Sequence, residues 1–234
     1  MNAVNVDGLN GNGLNMQAIF NLSDLPQEIY EGVASQVAGY ADYRQLILIA
    51  HGGRRMWGEL QGSEFNESAD PVDYFSVDRV QGWLAEQAPG ACYEIIYPAS
   101  PCVVPLQALG ELAGWHHSSP FMVGINQLRG SWFAYRVAVI TDTDFEPTNR
   151  IKLPSPCDSC DMKPCIKACP AEACGDFVFQ RCADYRLTDD SLCERGCLAR
   201  LACPVASEQR YSMEQNSYHY GHSMQTIRDY QKEG

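Results

Sequence analysis

The apolar residues of the first 141 positions include three compact runs that predict β-strands. Leu46–Ala50 is continuously apolar and is followed by Gly52 and Gly53, a pattern typical of a strand covered on both faces. Residues 92–97 and 132–141 are rich in branched and aromatic side chains and predict two more strands. A sheet is therefore expected in this part of the chain.

Helical patterns occur between these runs. A cap at residue 23 or 24, followed by Pro26, predicts a helix to about residue 39. Apolar residues spaced as on a helix face predict helices over residues 70–87 and 106–115, and a third begins at Arg54. Alternating helices and strands indicate an α/β or α+β layered domain.

The remaining segments divide the chain. Residues 1–15 are rich in Asn and Gly and predict an irregular arm, whereas residues 121–125 predict a strand or an extended run. Residues 142–156 contain Asp, Pro, Asn and Ser and predict a linker. We therefore expect one domain over residues 1–150 and a second over residues 151–234, ending in a helix over residues 218–232.

Charge and hydropathy restrict the partners. The formal net charge is −12, of which residues 1–150 carry −10 and residues 151–234 carry −2. An acidic domain repels phosphate backbones, so nucleic acid is not expected as a partner, whereas a basic redox protein or a small-molecule acceptor is. The N-terminus lacks the pattern of a secretory signal, and no apolar run is long enough to span a membrane. These features predict a cytoplasmic protein.

The cysteines dominate the second part of the chain, where residues 157–203 hold nine of the eleven. Cys157 and Cys160 are separated by two residues, and Cys165 and Cys169 by three, with a gap of four between the pairs. Two Cys-Pro pairs, at Cys169 and Cys203, end the two runs of thiols. Closely spaced thiols that end in Cys-Pro are typical of a ferredoxin-type iron–sulfur module.

In such modules the last thiol of each run binds the cluster of the other run. That rule predicts one [4Fe–4S] cluster on Cys157, Cys160, Cys165 and Cys203, and another on Cys169, Cys182, Cys193 and Cys197. Cys174 is left over and could replace Cys182. Two clusters are favoured over one; the alternatives are a zinc site, or disulfides and spectator thiols.

Two further groups could bind a cofactor. Gly52, Gly53 and Arg54 follow a buried strand, where open sheets place ligands, and could hold an anion through backbone amides and the guanidinium group; the glycines could equally form only a turn. His116 and His117 follow a predicted helix and could supply a ligand or a proton, or could be surface residues. Asp73 could be a general acid, although Asp near a helix start is usually a cap.

Four segments resemble the epoxyqueuosine reductases and, more distantly, the reductive dehalogenases. Cys157–Pro170 resembles the first cluster run of that family, and Gln180–Thr188 is similar to its Arg-Arg-Cys-Ile-Ser-Tyr-Leu-Thr segment. Leu128–Thr141 resembles the strand that carries Gly-Ser-Trp-Phe, and Leu109–His117 resembles Ala-Gly-Leu-Gly-Trp-Ile-Gly-Lys. The given sequence is shorter than members of that family, no helical repeat tail is expected in it, and its acidic first domain is not expected to offer the basic surface needed for transfer RNA.

The resemblance implies a nitroreductase-like, corrinoid-binding α/β domain joined to a small ferredoxin-like, cysteine-rich domain. It also implies electron transfer from [4Fe–4S] clusters to a cofactor such as cobalamin, or to a substrate, held by the N-terminal domain. If the chain is an enzyme, it is then an iron–sulfur oxidoreductase. The alternative is a non-catalytic binding protein whose C-terminal third is folded by structural iron–sulfur or zinc.

Overall fold

A computed structural model describes residues 4–98, 100–149 and 153–233. The chain forms two compact units: Met1–Gly114 with Phe133–Ile151, and Trp115–Trp132 with Lys152–Gly234. Residues 115–132 thus belong with the cysteine-rich part, whereas the sequence placed them in the first domain. The predicted boundary between residues 150 and 151 lies outside the described residues.

The first unit is built on a four-stranded antiparallel sheet. Its strands are β1 (Met16–Asn21), β2 (Gln45–Gly52), β3 (Tyr93–Tyr97) and β4 (Phe133–Thr141), in the order β1-β2-β4-β3. The three predicted strands are confirmed, and all eight residues of β2 are buried, as its apolar run indicated. Strand β1 was not predicted. The unit is therefore a mixed α/β structure with a small antiparallel sheet.

Except for the first, which was not predicted, the helices of the first unit follow the predicted positions. They are α1 (Asp7–Gly11), α2 (Gln27–Ala34), α3 (Arg55–Gln61), α4 (Pro71–Gln87) and α5 (Leu106–Leu112). Helix α5 ends before Gly114, which has φ +75°, the left-handed conformation that commonly terminates a helix. Among the described helices, none is long and apolar enough to cross a membrane.

The expected irregular arm is instead a structured part of the first unit. It contains α1 and buries Leu9 and Leu14 completely. Gly13 has φ +76°, and a Cβ atom there would lie 2.2 Å from the backbone nitrogen of Met56. The arm is ordered because its two leucines enter the core and because glycine permits this close approach to α3.

The second unit contains α6 (Pro164–Lys167), α7 (Phe179–Arg186), α8 (Leu198–Ala202) and α9 (Met213–Glu233). Residues 121–125 form turns rather than a strand, and Ile125 makes only an isolated antiparallel bridge to His117. Phe121 and Ile125 are buried against Cys165, Ala199 and Cys203, which explains why this segment belongs with the cysteines. The described residues do not confirm a ferredoxin-like fold for this unit.

Candidate metal centre

Four thiols form a group that we call the first thiol group: Cys157, Cys160, Cys165 and Cys203. Burial, followed by the nearby Cys203, raises the pKa of both Cys157 and Cys165. Burial also raises the pKa of Cys203, with a further contribution from Cys160. Each of these shifts includes a contribution from another member, so Cys203 is electrostatically close to thiols about forty positions earlier in the sequence.

The second thiol group consists of Cys169, Cys182, Cys193 and Cys197. Burial is the largest cause of the raised pKa of Cys182, and the other three members of the group add to it. Burial also raises the pKa of Cys193, to which Cys197 and Cys169 contribute. The two groups have the same membership as the ligand sets predicted from the sequence, which remain a prediction.

Cys174 has a different set of neighbours. Burial raises its pKa, followed by a hydrogen bond to Cys169 and the proximity of Cys169, Cys197 and Cys165. Its electrostatic neighbours therefore come from both thiol groups. Cys182, by contrast, interacts with every other member of the second group. This arrangement favours Cys182 as the ligand and Cys174 as a hydrogen-bonding neighbour.

Backbone N–H groups point at five of these eight sulfur atoms. The amide of Ala173 donates to Cys169 Sγ at 3.4 Å, and that of Arg200 donates to Cys197 Sγ at 3.5 Å. Backbone hydrogen bonds also lower the pKa of three thiols; the donor and acceptor pairs are Ile166 with Cys165, Leu198 with Cys193, and Val205 with Cys203. Such bonds favour the thiolate, the form that binds iron.

Short helices place several of these thiols. Pro164 occupies the first turn of α6 and precedes Cys165, while Lys163 has φ +37°. Asp161, Met162 and Lys163, which belong to the four-residue gap, are exposed, as expected for an outward bulge. Cys197 is the N-cap of α8 and Cys203 is its C-cap. This one short helix therefore connects a member of the second thiol group to a member of the first.

The thiols do not converge on a single point. Within residues 4–98, 100–149 and 153–233, no set of three or more His, Cys, Asp or Glu side chains could hold one metal ion. A zinc site needs four ligands around one ion, whereas a cubane holds its thiolates apart around a cage of iron and sulfide. Backbone N–H donors directed at the sulfurs of Cys169 and Cys197 are compatible with the predicted clusters.

Gly52, Gly53 and Arg54 form a turn at the end of β2 in the first unit. Gly53 has φ +77°, and Arg54 is exposed. The N–H of Gly52 donates to Asn15 Oδ1 at 2.8 Å, and its carbonyl accepts from Asn15 Nδ2 at 3.1 Å. The amide of Gly52 is therefore occupied by Asn15, whereas the anion-binding role of Gly53 and Arg54 stays a prediction.

The two histidines lie in the second unit. His116 is buried, and His117 is half-buried with its backbone N–H donating to the carbonyl of Ile125 at 3.0 Å. The burial of His116 does not match a surface residue. The predicted cofactor residues are therefore divided between the two units and form two separate candidate groups.

A polar cluster that the sequence did not reveal lies in the first unit. Arg136 is the extra residue in a β-bulge, since Ile49 pairs with Val137 and Ala50 with Tyr135. Its Nε donates to His51 Nδ1 at 2.9 Å, although both side chains are buried. Because a guanidinium only donates, His51 must accept at Nδ1, which fixes a neutral tautomer with the proton on Nε2.

Tyr97 and Asp73 belong to the same polar cluster. Burial raises the pKa of Tyr97, Arg136 partly offsets this, and Asp73 adds to it. Asp73 thus lies on α4 within electrostatic range of Tyr97, and it remains a candidate acid. The signal that could have revealed Arg136 is a lone Arg inside an otherwise apolar predicted strand.

Comparison with solved structures gives a consistent fold. An epoxyqueuosine reductase bound to an epoxyqueuosine-modified tRNA stem loop superposes with a TM-score of 0.56 at 15% identity, covering 91% of this chain and 67% of that one. The epoxyqueuosine reductase of Bacillus subtilis gives 0.54 at 15%, covering 89% and 66%. A catabolic reductive dehalogenase in complex with 3-bromo-4-hydroxybenzoic acid gives 0.52 at 13%, covering 92% and 32%.

These likenesses concern the fold. The chain has the fold shared by epoxyqueuosine reductases and reductive dehalogenases, which the sequence motifs predicted. It spans about two thirds of the reductase chains and about one third of the dehalogenase chain. No protein-family model and no curated protein sequence matches it.

Proposed function

We propose that this chain is an iron–sulfur electron-transfer protein or reductase with two [4Fe–4S] clusters. The first thiol group would hold one cluster and the second thiol group the other. The observation that carries the proposal is the division of eight thiols into two electrostatically connected sets of four, with the last thiol of each run joining the other set. When bound, such clusters take up and release single electrons.

The chain's own residues prepare these sites. Backbone N–H groups offset part of the burial that raises the pKa of Cys165, Cys193 and Cys203, and so lower the cost of forming their thiolates. Phe121 and Ile125 cover Cys165 and Cys203 and restrict water there. All eleven cysteines, each within the described residues, are free thiols, which suits a reducing compartment such as the cytoplasm.

The electron acceptor would be a cofactor or substrate held by the first unit. A corrinoid is the leading candidate, because one reductive dehalogenase with this fold is described as B12-dependent, with a TM-score of 0.51 at 13% identity. The polar cluster of His51, Tyr97 and Arg136 offers neutral proton donors and a fixed positive charge in that unit. The exposed Arg54 offers a second place for an anionic group.

Metal analysis of anaerobically purified protein tests the clusters. We expect a brown protein with roughly eight irons per chain. Reduction by dithionite should give reversible electron paramagnetic resonance signals from both clusters. A colourless protein that contains zinc would refute this part of the proposal and favour a structural metal. Titration with cobalamin at micromolar concentration tests the corrinoid separately, with a change in the corrinoid absorbance as the expected result.

The expectation that nucleic acid is not a partner rests on charge alone. A protein of the same fold has been solved with an RNA stem loop, so the fold itself is compatible with RNA. We retain a redox protein or small-molecule acceptor as the proposed partner because residues 1–150 carry a charge of −10. Filter binding of a transfer-RNA stem loop tests this expectation. The measurement is made at about 50 mM and about 200 mM salt, because phosphate contacts weaken strongly over this range.

A further inference from the structure

Arg186 is a buried cation with neutral partners. Its side chain is 8% exposed. One terminal nitrogen donates to Ser223 Oγ at 2.9 Å, the other donates to the carbonyl of Tyr220 at 3.3 Å, and the guanidinium lies 5.1 Å from the centre of the Tyr220 ring. Its Nε has no hydrogen-bond partner, and within the described part of the chain no carboxylate forms an ion pair with it.

A buried guanidinium without an anion is costly, because it has lost water and gained no opposite charge. Guanidinium groups keep their proton in proteins, so this cost is not relieved by loss of charge. Hydrogen bonds to a hydroxyl and a carbonyl supply dipoles but no negative charge. The position therefore calls for an anionic group nearby.

The second thiol group lies within electrostatic reach of Arg186 and would become anionic as the thiolate ligands of the proposed cluster. Cys182 and Arg186 are four residues apart on α7, so their side chains lie on one face of the helix. Arg186 also interacts with Cys193, which is on a different segment. Helix α7 packs through Ala183 against Met224 and Ile227 of α9, and this contact holds the guanidinium beside the thiols.

We propose that Arg186 is the charge-compensating residue of the cluster bound by the second thiol group, and that it raises the reduction potential of that cluster. This inference rests on the proposed function. Reduction adds one electron from a donor such as dithionite, and no bond is formed or broken. A fixed positive charge stabilises the more negative, reduced form, and burial prevents water and salt from screening it.

The substitution Arg186→Gln removes the charge and keeps a polar side chain. We expect the equilibrium constant for one-electron reduction of the second cluster to fall about tenfold, which corresponds to a potential lower by about 59 mV. Its signal is identified as the one lost in Cys182→Ser. The measurement is a redox titration followed by electron paramagnetic resonance.

Arg195→Gln is the matched control. Arg195 lies between Cys193 and Cys197 in the sequence but is exposed, so solvent screens its charge and the change should stay below about twofold. Arg186→Lys keeps the charge and loses the forked hydrogen bonds to α9. If charge is what matters, Arg186→Lys also stays within about twofold of the unsubstituted protein.

The outcomes separate the alternatives. A tenfold fall in Arg186→Gln with little change in the two other variants supports the proposal. Loss of the second cluster in Arg186→Gln, with retention at an unchanged potential in Arg186→Lys, also supports it, since the charge is then required. Equal potentials in all variants, or equal disruption by Gln and Lys, overturns it and leaves Arg186 as a clamp between α7 and α9. If the unsubstituted protein has no clusters, the proposed function itself fails.

Discussion

Gly130 offers a sharp test of how the loop of residues 115–132 supports the thiols. It has φ +56°, and a Cβ atom there would lie 2.4 Å from the carbonyl oxygen of Val205. Val205 is also the residue whose backbone N–H bonds to Cys203. Gly130→Ala therefore forces the backbone at Val205 to move and weakens a hydrogen bond within the first thiol group.

The magnitude follows from two effects. A residue with a side chain in a left-handed conformation costs about 1–3 kcal/mol, and overpacking against backbone costs about 1–3 kcal/mol more. Gly175→Ala is the matched control, because Gly175 has φ +106° and nothing lies within 4 Å of its Cβ position. Gly175→Ala should therefore show only the conformational cost.

Urea unfolding of the iron-loaded protein, followed by loss of the cluster absorbance, measures both variants. We expect the free energy of unfolding to fall by about 2–6 kcal/mol in Gly130→Ala and by about 1–3 kcal/mol in Gly175→Ala. The iron content of Gly130→Ala should also fall, since the first thiol group is affected. Equal destabilisation by the two substitutions, with full iron in both, would refute the reasoning.

Three further predictions, made with four substitutions, test separate parts of the structure. Cys182→Ser should reduce iron to roughly four atoms per chain whereas Cys174→Ser should leave it at roughly eight, as measured by metal analysis; the reverse result would exchange their roles. Leu48→Ala in the fully buried strand β2 should lower the free energy of unfolding by about 2–5 kcal/mol in a urea titration, and a loss below 1 kcal/mol would contradict the packing described. Burial raises the pKa of Tyr40 from 10.0 to about 12, so its neutral form stabilises the fold below pH 10 and this contribution is lost as pH rises from 10 through 12. Because the Tyr40 hydroxyl is buried without a hydrogen-bond partner, Tyr40→Phe should be neutral or stabilising at pH 8 and should reduce the loss of stability above pH 10; an unchanged alkaline profile would contradict this.

Sequence patterns predicted the sheet and the thiols because each has a local signature. The runs over residues 46–50, 92–97 and 132–141 are each contiguous, and the strands β2, β3 and β4 found there confirm the prediction. Strand β1 has a mixed composition, Met-Gln-Ala-Ile-Phe-Asn, with polar residues at its second and last positions. This segment is a strand because it pairs with β2, and no local sequence pattern reveals that pairing.

Long-range contacts account for the other differences. Residues 115–132 read as part of the first domain because they lie between its predicted helix and strand. Their apolar residues Phe121 and Ile125 are nevertheless buried among Cys165, Ala199 and Cys203, contacts that the order of the sequence conceals. The bond between Arg136 and His51 likewise depends on a bulge in β4, which shifts one residue out of the strand register.

The grouping of Cys203 with Cys157, Cys160 and Cys165 has a consequence for biosynthesis. All members of the second thiol group have left the ribosome once Cys197 has been translated and has passed the exit tunnel, whereas the first group lacks its fourth thiol until Cys203 follows. With the proposed ligand pairing, the cluster whose first ligand comes later in the chain is the one that can be completed earlier. A chain that stops before Cys203 would therefore retain a full set of ligands for one cluster only.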